Sequence, residues 1–458
     1  MLVRFSVENF KSFFDRQELM MIPAKKIKLN KEHTVQFDKV SLLRTATIYG
    51  ANASGKSNLI EAMKFAKYVI TNKVPLQASK MYCRVVPEGM SRHSTFEFEI
   101  LKNNKFYAYG FSINLYERKI ISEWLYELIP DKDIQHMLFE RETEVSRIEL
   151  GSRVTLDEID LMKFKTYTLD FEENNSELFL KEMNRNKKFK HGSSLEFFKD
   201  VFEWFDEDLV TIFPEEPFTN FEYFYGDDGI QKINKIIDFF DTGISKVKIE
   251  EISLSDMQSK LPKKLLEDLF ANLKDKLENS ENNKISMMSL RTKNAFYNIK
   301  AVPGDEPIIT TIKLEHGEKS LSDFEFDEES DGTRRLFDLL DILISNEKNK
   351  VYVIDELERS LHPKLTYKFI ELFFEILKEN HTQLIFTTHE STIMDQNLLR
   401  RDEIWFVERN KNNISHLYSL DRFKERYDKK LSKAYLDGRY GAIPVLKGYS
   451  SKKEREQL

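Results

Sequence analysis

The chain has 458 residues, 41% hydrophobic and 32% charged, with a formal net charge of −7. That length supports two or three domains with a large core, and the acidic balance does not advertise nucleic acid, though a local basic face stays open. Cys83 is the only cysteine. It excludes an internal disulfide and a cysteine-cluster metal site and fits a reducing cytoplasm. No signal peptide or membrane-spanning helix is expected, because the apolar runs fall far short of 18 residues. The 36 phenylalanines predict a large aromatic core or apolar faces for partners.

Leu2-Val-Arg-Phe-Ser-Val-Glu8 alternates apolar and polar residues and predicts a half-buried strand. Asn9-Phe-Lys-Ser-Phe13 follows, then a strand-like run from Gln17 to Ile22. Phe10, Phe13 and Phe14 are candidates to stack on an adenine ring, with core packing as the alternative. Residues 25–44 carry a lysine-rich loop.

Thr45-Ala-Thr-Ile-Tyr-Gly50-Ala-Asn-Ala-Ser-Gly55-Lys56-Ser57 organises the rest. It reads Gly-x-x-x-x-Gly-Lys-Ser between a buried strand and a helix whose apolar face is Leu59, Ala62, Met63 and Ala66. Small residues let successive N–H groups curl around a phosphate, and the helix N-terminus adds partial positive charge. Gly50, Ala51, Asn52, Ala53, Ser54, Gly55, Lys56, Ser57 and Asn58 are therefore the candidate nucleotide-binding residues. Lys56 is expected at the β- and γ-phosphates and the Ser57 hydroxyl on Mg²⁺.

Ser94–Ile100, Lys105–Ile113 and Ile120–Leu128 alternate as an antiparallel meander. From 131 to 299, charged helical stretches dominate, including Leu178–Met183, Leu195–Phe205, Ile230–Phe240 and Leu261–Leu277. This segment is expected to be a mainly helical insertion. Arg185, Lys187, Lys188 and Lys190 make it locally basic; a solvated helix face is the default, nucleic-acid contact the alternative.

Near residue 325 the chemistry resumes. Ser330 can cap a helix whose buried face is Leu336, Leu339, Leu340 and Leu343. Ser330-Asp-Gly332 is also a second anion-binding helix start, although capping explains it equally well. Lys350-Val-Tyr-Val-Ile-Asp355-Glu356 is a buried strand ending in two carboxylates. Asp355 can hold Mg²⁺ and Glu356 can act as general base on water. Gln383-Leu-Ile-Phe-Thr-Thr-His389 is another buried strand, and its histidine can meet a γ-phosphate and water. Glu403–Glu408 and Ile414–Leu420 predict further strands. Lys429–Pro444 predicts a helix ending in glycine and then a turn. Ser450–Leu458 is expected to fray.

This ordered set of motifs resembles the ABC-type ATPases of the RecF, SMC, Rad-fifty and OLD clan. Within it, the two ends of the chain, including Leu436-Asp-Gly-Arg-Tyr-Gly-Ala-Ile-Pro444, look most like the stand-alone phage-defence ATPases of the RloA and AbiL first-subunit type. The resemblance implies an α/β ATPase head, a mixed sheet with an antiparallel β-subdomain, split by the insertion: residues 1–130 and 300–445 as its halves, 131–299 as arm or lid, and 446–458 as tail. It implies ATP and Mg²⁺ as cofactors, a homodimer or higher homo-oligomer sandwiching ATP, and Ser330 and Gly332 acting in trans on the γ-phosphate. Leu357–His362 would be the loop at the head–head contact, and Gln77 is the nearest candidate for a coupling glutamine. Asp331 and Thr333 stand where the common Leu-Ser-Gly-Gly-Gln signature has Gly and Gln. The implied role is a cytoplasmic regulator of a nuclease or TOPRIM-like effector, without a membrane. The alternative is a DNA-repair or DNA-clamp ATPase.

Overall fold

The computed structural model describes residues 1–27, 29–130, 132, 134–185, 189, 192–214, 227–278, 286–291, 296–301, 306–317, 323–345, 347–423 and 430–444. The chain divides into two compact units: Met1–Thr211 with Lys348–Leu357 and Glu379–Leu458, and Ile212–Glu347 with Glu358–Lys378. Among the described residues, no helix is long and apolar enough to cross a membrane.

A six-stranded sheet carries the first unit, in the order Leu209–Ile212, Val351–Ile354, Gln383–Thr387, Thr45–Tyr49, Ile404–Arg409, Ser415–Ser419. The four strands from Val351–Ile354 to Ile404–Arg409 run parallel, and Ser415–Ser419 returns antiparallel. The three strands around the phosphate loop are buried along their whole length, so apolar residues run through them without strict alternation. Ile354 sits beside Phe386, and Thr387 beside Ile48. This register brings the carboxyl ends of three strands to one edge, where a parallel sheet opens its binding crevice.

The second sheet of this unit has seven antiparallel strands, Arg147–Leu150, Ile134–Glu142, Lys119–Ile129, Lys105–Asn114, Ser94–Lys102, Leu2–Glu8 and Gln17–Met20. The expected meander is present and runs past residue 130. In its last two strands only Phe139 and Arg141 are buried, which dilutes the alternation that would have marked them. Gln383 ties the sheets together. Its side-chain oxygen accepts from Leu2 N at 2.6 Å, and its amide nitrogen donates to Leu2 O at 2.9 Å and Leu43 O at 2.8 Å. A buried amide with every bond made costs little; one left unpaired would cost about 1–3 kcal/mol per group.

Aromatic rings fill the space behind the phosphate-loop helix. Phe10 and Phe13 are fully buried, and the Phe10 ring lies 5.4 Å from Phe65 and 5.5 Å from Phe96. Both are core residues, which corrects the adenine-stacking expectation for them. Burying a phenylalanine stabilises the fold by roughly 1.5–3 kcal/mol, so this motif anchors strand to helix. Phe14 is half-buried beneath the Arg92 guanidinium, 4.4 Å from its ring centre.

The second unit holds an antiparallel sheet, Ile244–Ile252, Ile308–His316, Phe296–Ala301 and Ser286–Arg291, with Phe324–Glu325 against Ile308–His316. Met257, Leu261, Leu266 and Leu269 pack on Tyr297, Ile299 and Ile309 of that sheet. The segment 131–299 is therefore less helical than expected. Ile244-Ser-Lys-Val-Lys-Ile-Glu-Glu-Ile spaces its apolar residues by three, two and three, a pattern that fits helix and strand about equally. The helix Asp331–Ile344 belongs to this unit, not to the sheet of the phosphate loop. Lys187, Lys188, Lys190 and the tail beyond 444 lie outside the described residues.

Candidate active site

The phosphate loop is shaped by close approach. Gly55 has φ +110°, which disfavours any side chain. A Cβ there would lie 2.5 Å from Ser415 Oγ and 2.6 Å from Ser12 Oγ. Those hydroxyls form a bracket under the loop: Ser415 Oγ donates to Ser54 O at 2.5 Å and bonds Ser12 Oγ at 2.8 Å, while Asn58 Nδ2 donates to Ser12 Oγ at 2.7 Å. A Cβ on Gly50 would strike the carbonyl of Val407. Asn52 and Ala53 are exposed at the mouth, and Ala53 takes φ +61°. The helix Lys56–Thr71 starts at this point and buries Leu59, Ala62, Met63 and Ala66 as expected.

Lys56 is buried, and its Nζ donates to Gly50 O at 2.9 Å and Ala51 O at 3.3 Å. The ammonium thus lies across the loop, close to the curl of backbone amides. The Ser57 hydroxyl donates to Asp355 Oδ1 at 3.2 Å, across 298 residues of chain. Thr387 Oγ1 donates to the same oxygen at 2.6 Å and accepts the Glu356 N–H at 2.8 Å. Asp355 is buried and Glu356 half-buried. Glu356 holds φ +50°, a conformation that costs a non-glycine residue of order 1–3 kcal/mol and persists only when neighbours fix it.

His389 follows the same edge and is solvent-exposed. Partial desolvation of its ring lowers its pKa below the ordinary imidazole value. Lys56 pushes in the same direction, and Glu356 and Asp355 oppose it. Those three influences place the ring in the field of the same cluster.

Ser330 and Gly332 are found in the second unit. Ser330 caps its helix as predicted, accepting Thr333 N–H at 3.1 Å, and its hydroxyl lies 2.9 Å from Thr333 Oγ1. Leu336, Leu339, Leu340 and Leu343 are buried. A Cβ on Gly332 would meet Ser360 O at 2.6 Å, so glycine is needed to seat this helix start against the 358–362 loop. Gln77 is exposed in a short 3-10 turn, Leu76–Lys80.

Three contributors were missed by sequence reasoning. Thr387 was legible only as a hydroxyl at the end of an apolar strand. Ser12 and Ser415 had no local mark, since their role exists only where a turn and an edge strand 403 residues apart meet. The tail motif is the third. Tyr435 and Tyr440 pack on Phe406 at 5.6 and 5.8 Å, and Tyr435 lies 5.7 Å from Tyr49, the residue before the loop. Tyr418 donates to Tyr440 O at 2.7 Å, and Gly441, at φ +72°, leaves room for that hydroxyl. The tail buttresses the phosphate-loop strand.

Residues 46–395 match the family profile described as "AAA domain, putative AbiEii toxin, Type IV TA system". The chain belongs to this family. That bears out the resemblance to ABC-type ATPases of the RecF and SMC clan. No curated protein sequence matches the chain. Among solved structures, it is similar to an SMC head bound to the C-terminal winged-helix domain of ScpA, with 13% identity, 91% of this chain and 97% of that one covered, and a TM-score of 0.41. It is also similar to the SMC head domain from Thermotoga maritima, with 14% identity, coverage of 91% and 98%, and a TM-score of 0.36. A third is the Pyrococcus furiosus Smc head with an extended coiled coil, bound to the C-terminal domain of ScpA, with 13% identity, coverage of 91% and 96%, and a TM-score of 0.38.

Proposed function

We propose that this chain binds and hydrolyses ATP as an ABC-type head, and that two copies close on the nucleotide to regulate a partner effector in phage defence. The observation that carries the reading is the 3.2 Å contact between Ser57 and Asp355. It joins the phosphate loop to the acid-bearing strand.

In this reading the amides of residues 51–58 cradle the phosphates, and Lys56 turns from its carbonyls to the β- and γ-phosphate oxygens. Ser57 and Asp355 would hold Mg²⁺. Two adjacent hard oxygen donors fit an ion that keeps most of its shell for water and phosphate. Bound there, it would neutralise charge between the β- and γ-phosphates. Glu356 orients water and takes its proton, with its backbone pinned by Thr387. The neutral His389 ring contacts the γ-phosphate and that water. Ser330 and Gly332 supply their helix N-terminus to nucleotide held by the other copy. The family's description in terms of an AbiEii toxin and a type IV TA system supports a defence setting; in this reading the chain works in the cytoplasm beside an effector, a nuclease or TOPRIM-like protein. Such a partner would be held or released as ATP closes the pair.

The test is Glu356→Gln. Removing the base should slow turnover by about 10²–10⁴-fold, spare binding, and leave a stable dimer by light scattering with Mg·ATP. A variant that binds ATP but stays monomeric would contradict the sandwich. DNA-stimulated turnover with steep salt dependence would favour the DNA-clamp reading instead.

A further inference from the structure

The sheet of the second unit carries a cavity of about 580 Å³, lined only by residues of that unit. Strand register explains where it lies. Glu250 pairs with Thr311, Lys313 with Glu325, and Ile299 with Ile309. Because side chains alternate along a strand, Glu250, Thr311, Lys313 and Glu325 share the face on which Tyr297, Ile299 and Ile309 meet the helices. Past that apolar core the face turns polar. The helix Leu254–Lys260 adds Asp256, Ser259 and Lys260 to the lining, and the turn Phe326–Glu328 adds Phe326 and Asp327. The volume lies in the range of small-molecule sites, roughly 300–1,000 Å³.

Five carboxylates line the cavity against two ammonium groups. Both lysines, Lys260 and Lys313, pair with Glu325, and Lys313 also reaches Glu250 at 3.4 Å. Glu251 and Asp327 have no ion-pair partner among the described residues, and Asp256 accepts the Ser253 hydroxyl at 2.6 Å. The field inside is therefore negative. Tyr297 marks the site in a second way. It is 2% exposed, yet its hydroxyl has no hydrogen-bond partner among the described residues. It lines the cavity, where burial and the carboxylates of Glu325 and Asp327 raise its pKa and keep it protonated. A buried hydroxyl left unpaired is costly unless a molecule in the cavity completes it.

A compact divalent ion needs converging oxygens, and no three acids converge for one among the described residues. Carboxylates dispersed around a cavity suit a cation whose charges are dispersed in the same way. Ile252, Phe296 and Phe326 add apolar wall, on which methylene spacers can lie. We infer that this cavity binds a linear polyamine. Its ammonium groups sit on Glu251, Asp256 and Asp327, and one of them donates to the Tyr297 hydroxyl. The site is independent of the nucleotide reading.

Titration calorimetry of spermidine into the full chain, at fixed ionic strength, tests it. Spermidine should bind at one site per chain, and n-butylamine or Mg²⁺ should displace it only at about tenfold or higher concentration. Glu251→Gln with Asp327→Asn, both at exposed positions, should weaken spermidine by about tenfold or more. Tyr297→Phe keeps the ring in the core and should weaken it by about threefold or more, while the melting temperature does not fall. Displacement by n-butylamine or Mg²⁺ at equal concentration would reduce the site to a diffuse acidic surface. Spermidine binding that none of these variants changes, or that Asp355→Asn abolishes, would overturn the cavity as the site. Binding of a triarginine peptide but not of spermidine would overturn the polyamine and make the cavity a seat for a basic protein segment.

Discussion

The phosphate loop and the Ser330–Gly332 turn look alike in sequence: each sets small residues before a helix N-terminus. They differ in where their polar groups spend their hydrogen bonds. Ser57, Asp355, Thr387 and the Glu356 amide bind one another across some 300 residues of chain. Ser330 spends its hydroxyl on Thr333, three residues away. A cluster that only the tertiary fold can assemble, and that holds Glu356 in a costly backbone conformation, carries the mark of a reaction centre. A locally satisfied cap carries no such mark, and any chemistry it has must come from what it faces in an assembly.

The comparison can be broken at its stronger side first. Lys56→Ala removes the ammonium from the loop. Two charge-assisted hydrogen bonds of about 1.5–3 kcal/mol each predict a loss of ATP affinity of roughly a hundredfold or more. Unchanged affinity by titration calorimetry would show that the loop cradles no phosphate. Next comes Thr387→Ala. It leaves the Glu356 N–H and an Asp355 oxygen without their shared partner, which should cost about 1–3 kcal/mol of stability by urea unfolding. It should also slow turnover more than it weakens binding, and Thr387→Ser should restore both. Loss of stability without any change in turnover would make Thr387 a purely structural link. The smallest effect is expected from Ser330→Ala. Loss of the cap should cost about 1 kcal/mol, and nucleotide affinity of the monomer should be unchanged. ATP-driven dimerisation, followed by light scattering, should weaken. Wild-type dimerisation would leave Ser330 as a cap alone.

What the sequence disclosed follows the same division. Val351–Ile354 and Gln383–Thr387 were legible because buried parallel strands are continuous apolar runs, and the residues at their ends were legible because chemistry needs acids and a histidine there. Phe10 and Phe13 were ambiguous because an aromatic ring serves a core and a base equally well. Ser12 and Ser415 were invisible because serine in a loop or edge strand is ordinary until its partner is known. The strands within 131–299 were obscured by mixed spacing of apolar residues, as in Ile244–Ile252.

The central claim is that Lys56 and Asp355 act on one magnesium–nucleotide. Titration of ATP into Asp355→Asn, with Mg²⁺ and with EDTA, tests it most directly. The account predicts that the parent chain binds ATP more tightly with Mg²⁺ and that Asp355→Asn loses this gain, binding alike in both buffers. A variant that keeps the full Mg²⁺-dependent gain would contradict it.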